Sequence, residues 1–249
     1  MKKLINLFLT AVSKISFGTI KNYYLLDYKP AYDEDGVATS HNIINNNDLK
    51  FINAYNQGFL TQSSYGNHLR WRVNIACKIA KYCTQLSGDF IELGTNRGLM
   101  ATSIINYNKI ERKFFFLVDT YAGRVESMLT KNEKNFRGVP DYKNCYEFVK
   151  NNFKEIKYIK IIKGKLPNIL KKIKSKKFSF VHVDLNSSIA EILSIKIIWN
   201  KIEKGGVILL DDYCYSGYGD TKKAWDKFAL ETNIEIIALP TGQGLIIKN

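Results

Sequence analysis

Apolar positions follow two different rhythms along the chain. Up to residue 85 they are grouped for helices and loops, most clearly over Leu69–Tyr82, where they repeat at helical spacing. Beyond that point, short unbroken apolar runs alternate with amphipathic stretches. The runs are Phe90–Leu93, Phe114–Val118, Tyr158–Ile162, Phe178–Val183 and Val207–Leu210, the last entered through Gly205-Gly206. Continuous rather than alternating hydrophobicity marks parallel strands covered on both faces. Helices are predicted near Leu99–Tyr107 and over Asn144–Phe153, Pro167–Ile173, Ile189–Ile202 and Thr221–Glu231, as crossovers between those strands. The end differs. Glu235–Leu239 and Gly244–Lys248, split by Pro-Thr-Gly-Gln, predict a hairpin and so an antiparallel last strand. The expected fold is α/β: a Rossmann-like, mostly parallel sheet with an antiparallel C-terminal hairpin. Residues 1–85 are expected to form a helical or lid extension, and residues 86–249 the sheet domain.

Composition narrows this picture. With 249 residues, 45% of them hydrophobic, the chain suits one elaborated α/β domain, and its four prolines mark no linker. The net charge of +14 raises a nucleic-acid reading. Most of the charge is scattered lysine, however, and the densest run, Lys165–Lys177, carries Leu166, Ile169, Leu170 and Ile173 at helical spacing. That is a solvated basic helix face, so no nucleic-acid partner is expected, whereas an anionic nucleotide- or lipid-linked partner is compatible. Cys77, Cys83, Cys145 and Cys214 form no CxxC pair, which fits free thiols in a reducing cytoplasm. Leu4, Phe8, Leu9, Val12 and Ile15 share one helical face. Residues 1–17 therefore suit a docking helix or a peripheral membrane contact better than a signal peptide, and no segment has the length of a membrane span. Homo-oligomer formation stays open.

Three signals carry chemistry. Glu92-Leu93-Gly94-Thr95-Asn96-Arg97-Gly98 follows a strand and opens a helix, where open α/β sheets bind their ligands. A dinucleotide fold wants glycine where Asn96 stands, because a pyrophosphate must press on that turn; a cofactor without phosphate does not. Glu92 suits the cationic end of such a cofactor. Asp119, 25 positions beyond Gly94, can accept both ribose hydroxyls of a nucleoside or can serve as a turn residue. Asp184 ends the fourth strand and Asp211-Asp212 the fifth. Unpaired, these carboxylates would repel one another, so each single Asp→Asn change is expected to leave the metal-free protein as stable or more so. A hard divalent cation such as Mg2+ would remove the conflict. Asn186 can add a carbonyl ligand or cap the next helix. By strand alternation, His182 shares a side with Asp184, where it can assist proton removal or sit as a core histidine. Tyr213, Tyr215 and Tyr218 follow the acidic pair as an aromatic loop that can stack on a sugar or simply pack. His41 and His68 lie in the elaborated N-terminal region.

Taken together, GDFIELGTNRG (88–98), LVDTYAG (117–123), IIKGKLPNILKKI (161–173), FSFVHVDLN (178–186), KGGVILLDDY (204–213) and LPTGQGLIIK (239–248) resemble the macrocin O-methyltransferase family. The resemblance implies a class I methyltransferase sheet, S-adenosylmethionine, Mg2+ or Mn2+, and a sugar-containing acceptor. It implies Asp184, Asp211 and Asp212 as metal ligands, with Asp184 also the general base. The expected cofactor contacts are Glu92, Gly94, Thr95, Asn96, Gly98, Asp119, Thr120 and Gly164; the expected catalytic pair is Asp184 and His182. Many relatives read Asp-x-Asp-x-Tyr where this chain has Asp184-Leu185-Asn186-Ser187-Ser188. The difference leaves the metal triad intact and bears on the acceptor. Residues 121–142 are placed to act as a lid. The rival readings are a methyltransferase with a catechol-like diol, lipid or peptide acceptor, and a non-catalytic binding module. An NAD-dependent oxidoreductase fits Asn96 and the terminal hairpin poorly.

Overall fold

The computed structural model describes residues 30–45, 47–136, 138 and 140–249; the amphipathic segment over residues 1–17 lies outside them. The chain divides into two compact units, residues 1–45 and 46–249. In the first, strands β1 (Tyr32–Glu34) and β2 (Val37–Thr39) pair antiparallel. Their turn, Asp35-Gly36, takes positive φ at both residues (54° and 73°), which aspartate and glycine tolerate best. His41 lies just beyond this hairpin.

The second unit begins with helices α1 (Leu49–Phe59) and α2 (Arg70–Cys83). The second matches the amphipathic pattern over Leu69–Tyr82, and both lie in one compact unit with the sheet. Asp48 caps α1 by accepting the Phe51 amide at 3.0 Å. Helix α1 packs on α3 (Leu99–Tyr107) through Gly58, where a Cβ would lie 2.0 Å from Ser103 Oγ.

The sheet strands are β3 (Asp89–Leu93), β4 (Phe115–Asp119), β5 (Ile159–Lys163), β6 (Phe178–Val183), β7 (Ile202–Leu210), β8 (Ile237–Ala238) and β9 (Gly244–Ile247), in the spatial order β5-β4-β3-β6-β7-β9-β8. Strands β3 to β7 run parallel, and β9 is antiparallel to both β7 and β8, as the hairpin pattern predicts. All six residues of β6 are buried. On one side of it Phe90, Phe115 and Phe180 form an aromatic cluster, with centroids 5.8 and 5.4 Å apart. The crossover helices are the short α4 (Lys131–Asn135), α5 (Tyr146–Phe153), α6 (Ser188–Ile198) and α7 (Gly219–Thr232).

Two elements differ from the sequence reading. Pro167–Ile173 is not an α-helix; only Asn168–Lys172 turns, as a 3-10 segment. Gly164 explains the tightness, since a Cβ there would meet Ile169 Cγ1 at 2.7 Å. The chain folds back so closely that Ile169, Leu170 and Ile173 reach the core within one short turn. Strand β7 likewise starts at Ile202, ahead of Gly205-Gly206, and its register against β6 shifts there. The glycines form a bulge inside the strand rather than a turn before it.

Helices α6 and α7 meet through a buried polar contact: Trp225 Nε1 donates to Glu191 Oε2 at 2.7 Å. Burial raises the Glu191 pKa to about 8, against the lowering effect of that bond. Among the described residues, no helix is long and apolar enough to cross a membrane. A testable consequence follows from Glu191. Its folded-state pKa lies above the ordinary 4.5, so the folded chain keeps a proton that the unfolded chain releases, and this stability is lost as pH rises from about 4.5 to about 8. Glu191→Gln keeps an acceptor for Trp225 and should flatten the decline in melting temperature between pH 5 and pH 8. An equally steep decline in the variant would show that Glu191 is already ionised in the fold.

Candidate active site

The site lies along the carboxyl ends of the parallel strands. The ladder continues one residue past each strand: Gly94 donates to Val118 O, Asp184 to Leu93 O, Asp211 to Val183 O and Gly164 to Asp119 O, all at 2.8–2.9 Å. Every sequence-predicted motif is therefore held by its neighbour strand. Gly94 has φ 91°, and a Cβ there would fall 1.7 Å from the Asp184 carbonyl oxygen, so no other residue fits.

On the cofactor side, Asn96 adopts φ 48° and supplies the left-handed turn that a dinucleotide site assigns to glycine. Its amide donates to Asp119 Oδ2 at 2.7 Å, and the Tyr121 amide donates to Oδ1 at 2.8 Å. Asp119 is thus fixed at the end of β4, half-buried, with further lone pairs on both oxygens. Thr120 Oγ1 donates to Gly123 O at 2.7 Å and closes the following turn. The buried Oγ1 of Thr95 and Oε2 of Glu92, a hydroxyl and a carboxylate oxygen beside the turn, lack hydrogen-bond partners. A segment that gave no sequence signal covers it: Arg97 Nε donates to Thr61 O at 2.6 Å, and the Arg97 amide to Ser63 Oγ at 3.2 Å. His68 stacks on Phe59 at 4.8 Å, in the scaffold of this segment.

On the acidic side, carboxylate oxygens of Asp184, Asp211 and Asp212 all lie within 4.8 Å of one another. Two like charges about 4 Å apart repel by roughly 4 kcal/mol at a partly buried site, a large part of a domain's net stability. The chain does not leave these acids unpaired. Arg72, at the start of α2 and 5% exposed, places Nη1 2.9 Å from Asp211 Oδ2 and 3.4 Å from Asp212 Oδ1. Gln243 Nε2 donates to Asp211 Oδ1 at 3.3 Å. Beneath them, His182 Nδ1 meets Glu92 Oε1 at 3.0 Å, its register partner on β3, while Nε2 sits 3.6 Å from Asp211 Oδ1.

These contacts separate the acids electrostatically. Burial opposes ionisation of Asp211, but the charges of Arg72 and His182 hold its pKa down at about 2. Burial and the neighbouring Asp211 and Asp212 push Asp184 well above the ordinary carboxylate range. Burial also disfavours a charged His182, yet the carboxylates facing it raise its pKa to about 10. His182 is thus buried, 2% exposed, between Glu92 and Asp211. Glu92 is directed at His182 within the sheet.

Around the acids stands an aromatic wall. Asn186 donates to Asp184 Oδ1 at 2.7 Å and accepts from the Tyr218 hydroxyl, while Ser187 caps α6. Burial and the charge of Asp184 push the Tyr142 phenol above its ordinary range. Tyr213 instead bonds to Asp226 and Lys222, as scaffold. Within the segment over 121–142, residues 128–136 are docked as a cover. Glu133 closes a capping box with Thr130 and accepts the Ser188 amide at 2.7 Å, Ser187 Oγ donates to Met128 O at 2.6 Å, and Phe136 packs on Tyr218 at 5.1 Å.

A macrocin-O-methyltransferase (TylF) family profile matches residues 72–238. The chain belongs to that family. It is an S-adenosylmethionine-dependent O-methyltransferase. Solved structures agree in fold. The O-methyltransferase NovP superposes with a TM-score of 0.62 at 15% identity, over 74% of this chain and 83% of its own. The S-adenosylhomocysteine-bound Podospora anserina methyltransferase PaMTH1 gives 0.55 at 15%, over 83% and 89%. Apo CalS11, described as a TDP-rhamnose 3'-O-methyltransferase of calicheamicin biosynthesis, gives 0.52 at 14%, over 70% and 78%. No match was found among curated protein sequences.

The uneven pairing of the acids corrects the expectation that each Asp→Asn change relieves repulsion. Asp211→Asn removes the nearer of the two carboxylates that face buried Arg72 and should destabilise the metal-free protein by about 3 kcal/mol. Asp184→Asn removes the most strained charge and should melt at or above the wild-type temperature. Thermal melts in chelator read both, and equal shifts for the two variants would show that Arg72 does not separate them.

Proposed function

We propose that this methyltransferase acts on a sugar hydroxyl with the help of a divalent cation held by Asp184, Asp211 and Asp212. The observation that carries the reading is the approach of three carboxylates to within 4.8 Å on the sheet edge that also bears the cofactor turn. An all-oxygen donor set of this kind suits Mg2+ or Mn2+. The sugar acceptor is supported by the family and by the sugar nucleotide in the CalS11 description.

Bound S-adenosylmethionine supplies an electrophilic methyl group, and the cation lowers the pKa of an acceptor hydroxyl. The chain's own residues do the rest. Asp119 accepts the ribose hydroxyls, with Thr120 shaping the turn beside it, while Gly94, Thr95, Asn96 and Gly98 shape the cradle and Gly164 closes its far side. Glu92 contributes its charge from below through His182. Asp184, held beside the other two acids, accepts the hydroxyl proton. Tyr218, packed on Phe136, braces Asn186 beside that acid through its hydroxyl. Asn186 orients Asp184 through their 2.7 Å bond, which gives it a role where relatives carry a second aspartate.

Two measurements test this. Transfer of labelled methyl groups to TDP-sugars should stop in EDTA and return with Mg2+ or Mn2+; unchanged turnover in chelator would make the three acids scaffold. Asp119→Ala should weaken S-adenosylhomocysteine binding by roughly tenfold to a hundredfold, the worth of one to two charge-assisted hydrogen bonds. Unaltered affinity in that folded variant would remove the ribose assignment.

A further inference from the structure

Arg72 is placed in a way that neither charge balance nor packing requires by itself. It sits in the first turn of α2, on the same buried face as Val73, Ala76, Cys77, Ala80 and Cys83. From there its guanidinium engages two distant parts of the chain. Nη1 donates to the main-chain oxygen of Asp211 at 2.6 Å, besides facing the Asp211 and Asp212 carboxylates, and Nη2 donates to Thr241 O at 2.8 Å. Thr241 lies in the turn between β8 and β9, and the same turn carries Gln243, wholly buried, whose amide holds the other oxygen of Asp211. One planar, five-donor group therefore ties the end of β7 to the closing hairpin, and with Gln243 it fixes the surroundings of both Asp211 oxygens.

A lysine in this position would balance the charge equally well. It could not span the Asp211 carbonyl, the Asp211 carboxylate and the Thr241 carbonyl at once, because an ammonium is a point charge without a fork. We propose that Arg72, with Gln243 as its second hand, is a positioning residue: it sets the direction of the Asp211 and Asp212 carboxylates and thereby the affinity of the acidic centre for its cation. The proposal rests on the cation reading above. It assigns to α2 a part in the chemistry of the opposite end of the chain. Outer groups that orient metal-binding carboxylates typically govern affinity by ten- to a hundredfold, without touching the ion.

Arg72→Lys separates geometry from charge, because it keeps the cation and removes the fork. Free Mn2+, followed by its electron paramagnetic resonance signal, measures the centre directly, and calorimetric titration with S-adenosylhomocysteine measures the cofactor cradle, whose described contacts do not involve Arg72. The variant should bind Mn2+ about tenfold more weakly than wild type and S-adenosylhomocysteine equally well. Gln243→Leu, which alters no charge, should show the same selectivity at about threefold. Wild-type Mn2+ affinity in both variants overturns the proposal. So does a parallel loss of Mn2+ and S-adenosylhomocysteine in both, which would mark Arg72 and Gln243 as general scaffold. A wild-type protein that binds no Mn2+ overturns the cation reading itself, and the proposal with it.

Discussion

Three carboxylates at the ends of two adjacent parallel strands repel one another, and the fold around them answers that repulsion. Val183 and Leu210 are register partners, so Asp184 and Asp211 emerge side by side whether or not an ion is present. The positive charge that the chain supplies is unevenly placed. Arg72 reaches Asp211 and Asp212, and His182 lies under Asp211, while Asp184 keeps only the amide of Asn186 as a close donor among the described contacts. Asp211 is consequently an ionised anchor, and Asp184 is the acid that resists ionisation. A single constraint, the tolerance of clustered negative charge, produces two chemically different aspartates.

The same arrangement ties together parts of the chain that a pattern of strands and helices leaves independent. Helix α2 is fastened to the end of β7 and to the β8–β9 turn through Arg72. Strand β3 is fastened to β6 through Glu92 and His182 as well as through the ladder. The cover over 128–136 is fastened to the start of α6 through Glu133, beside the turn that carries Asp184 and Asn186. The cofactor half is built more locally, from Asn96 and Asp119 bonding across the ends of β3 and β4. An O-methyltransferase needs both halves to meet over one small volume, since alignment of the acceptor oxygen with the methyl carbon is much of what the protein contributes.

The sheet was legible in the sequence because a parallel strand buried on both faces writes itself as an unbroken apolar run, and a hairpin as two runs with a short polar break. The acids were legible because they stand at the ends of such runs. What escaped was side-chain pairing across long sequence separations. Arg72 is 139 positions from Asp211, and its only local signal was a charge on the apolar face of α2, between residues that pack. His182 could be placed on the side of Asp184 by alternation, but its contact with Glu92 depends on strand order, which the pattern does not state. The segment after Gly164 misled because apolar residues at helical spacing also suit a 3-10 turn pressed against a strand end. The cover could be placed from its length, but its docking could not: Glu133 reads as an ordinary surface acid until the α6 amide it caps is brought beside it.

The central claim is that these acids, oriented from beneath by Arg72, form a cation centre beside the methyl donor. Crystals grown with Mn2+ and S-adenosylhomocysteine test it most directly, through an anomalous difference map. The account predicts one strong peak in contact with Asp184, Asp211 and Asp212, with Arg72 still bridging Asp211 and Thr241. A cofactor-bound map with no peak among these carboxylates at saturating Mn2+ would contradict it.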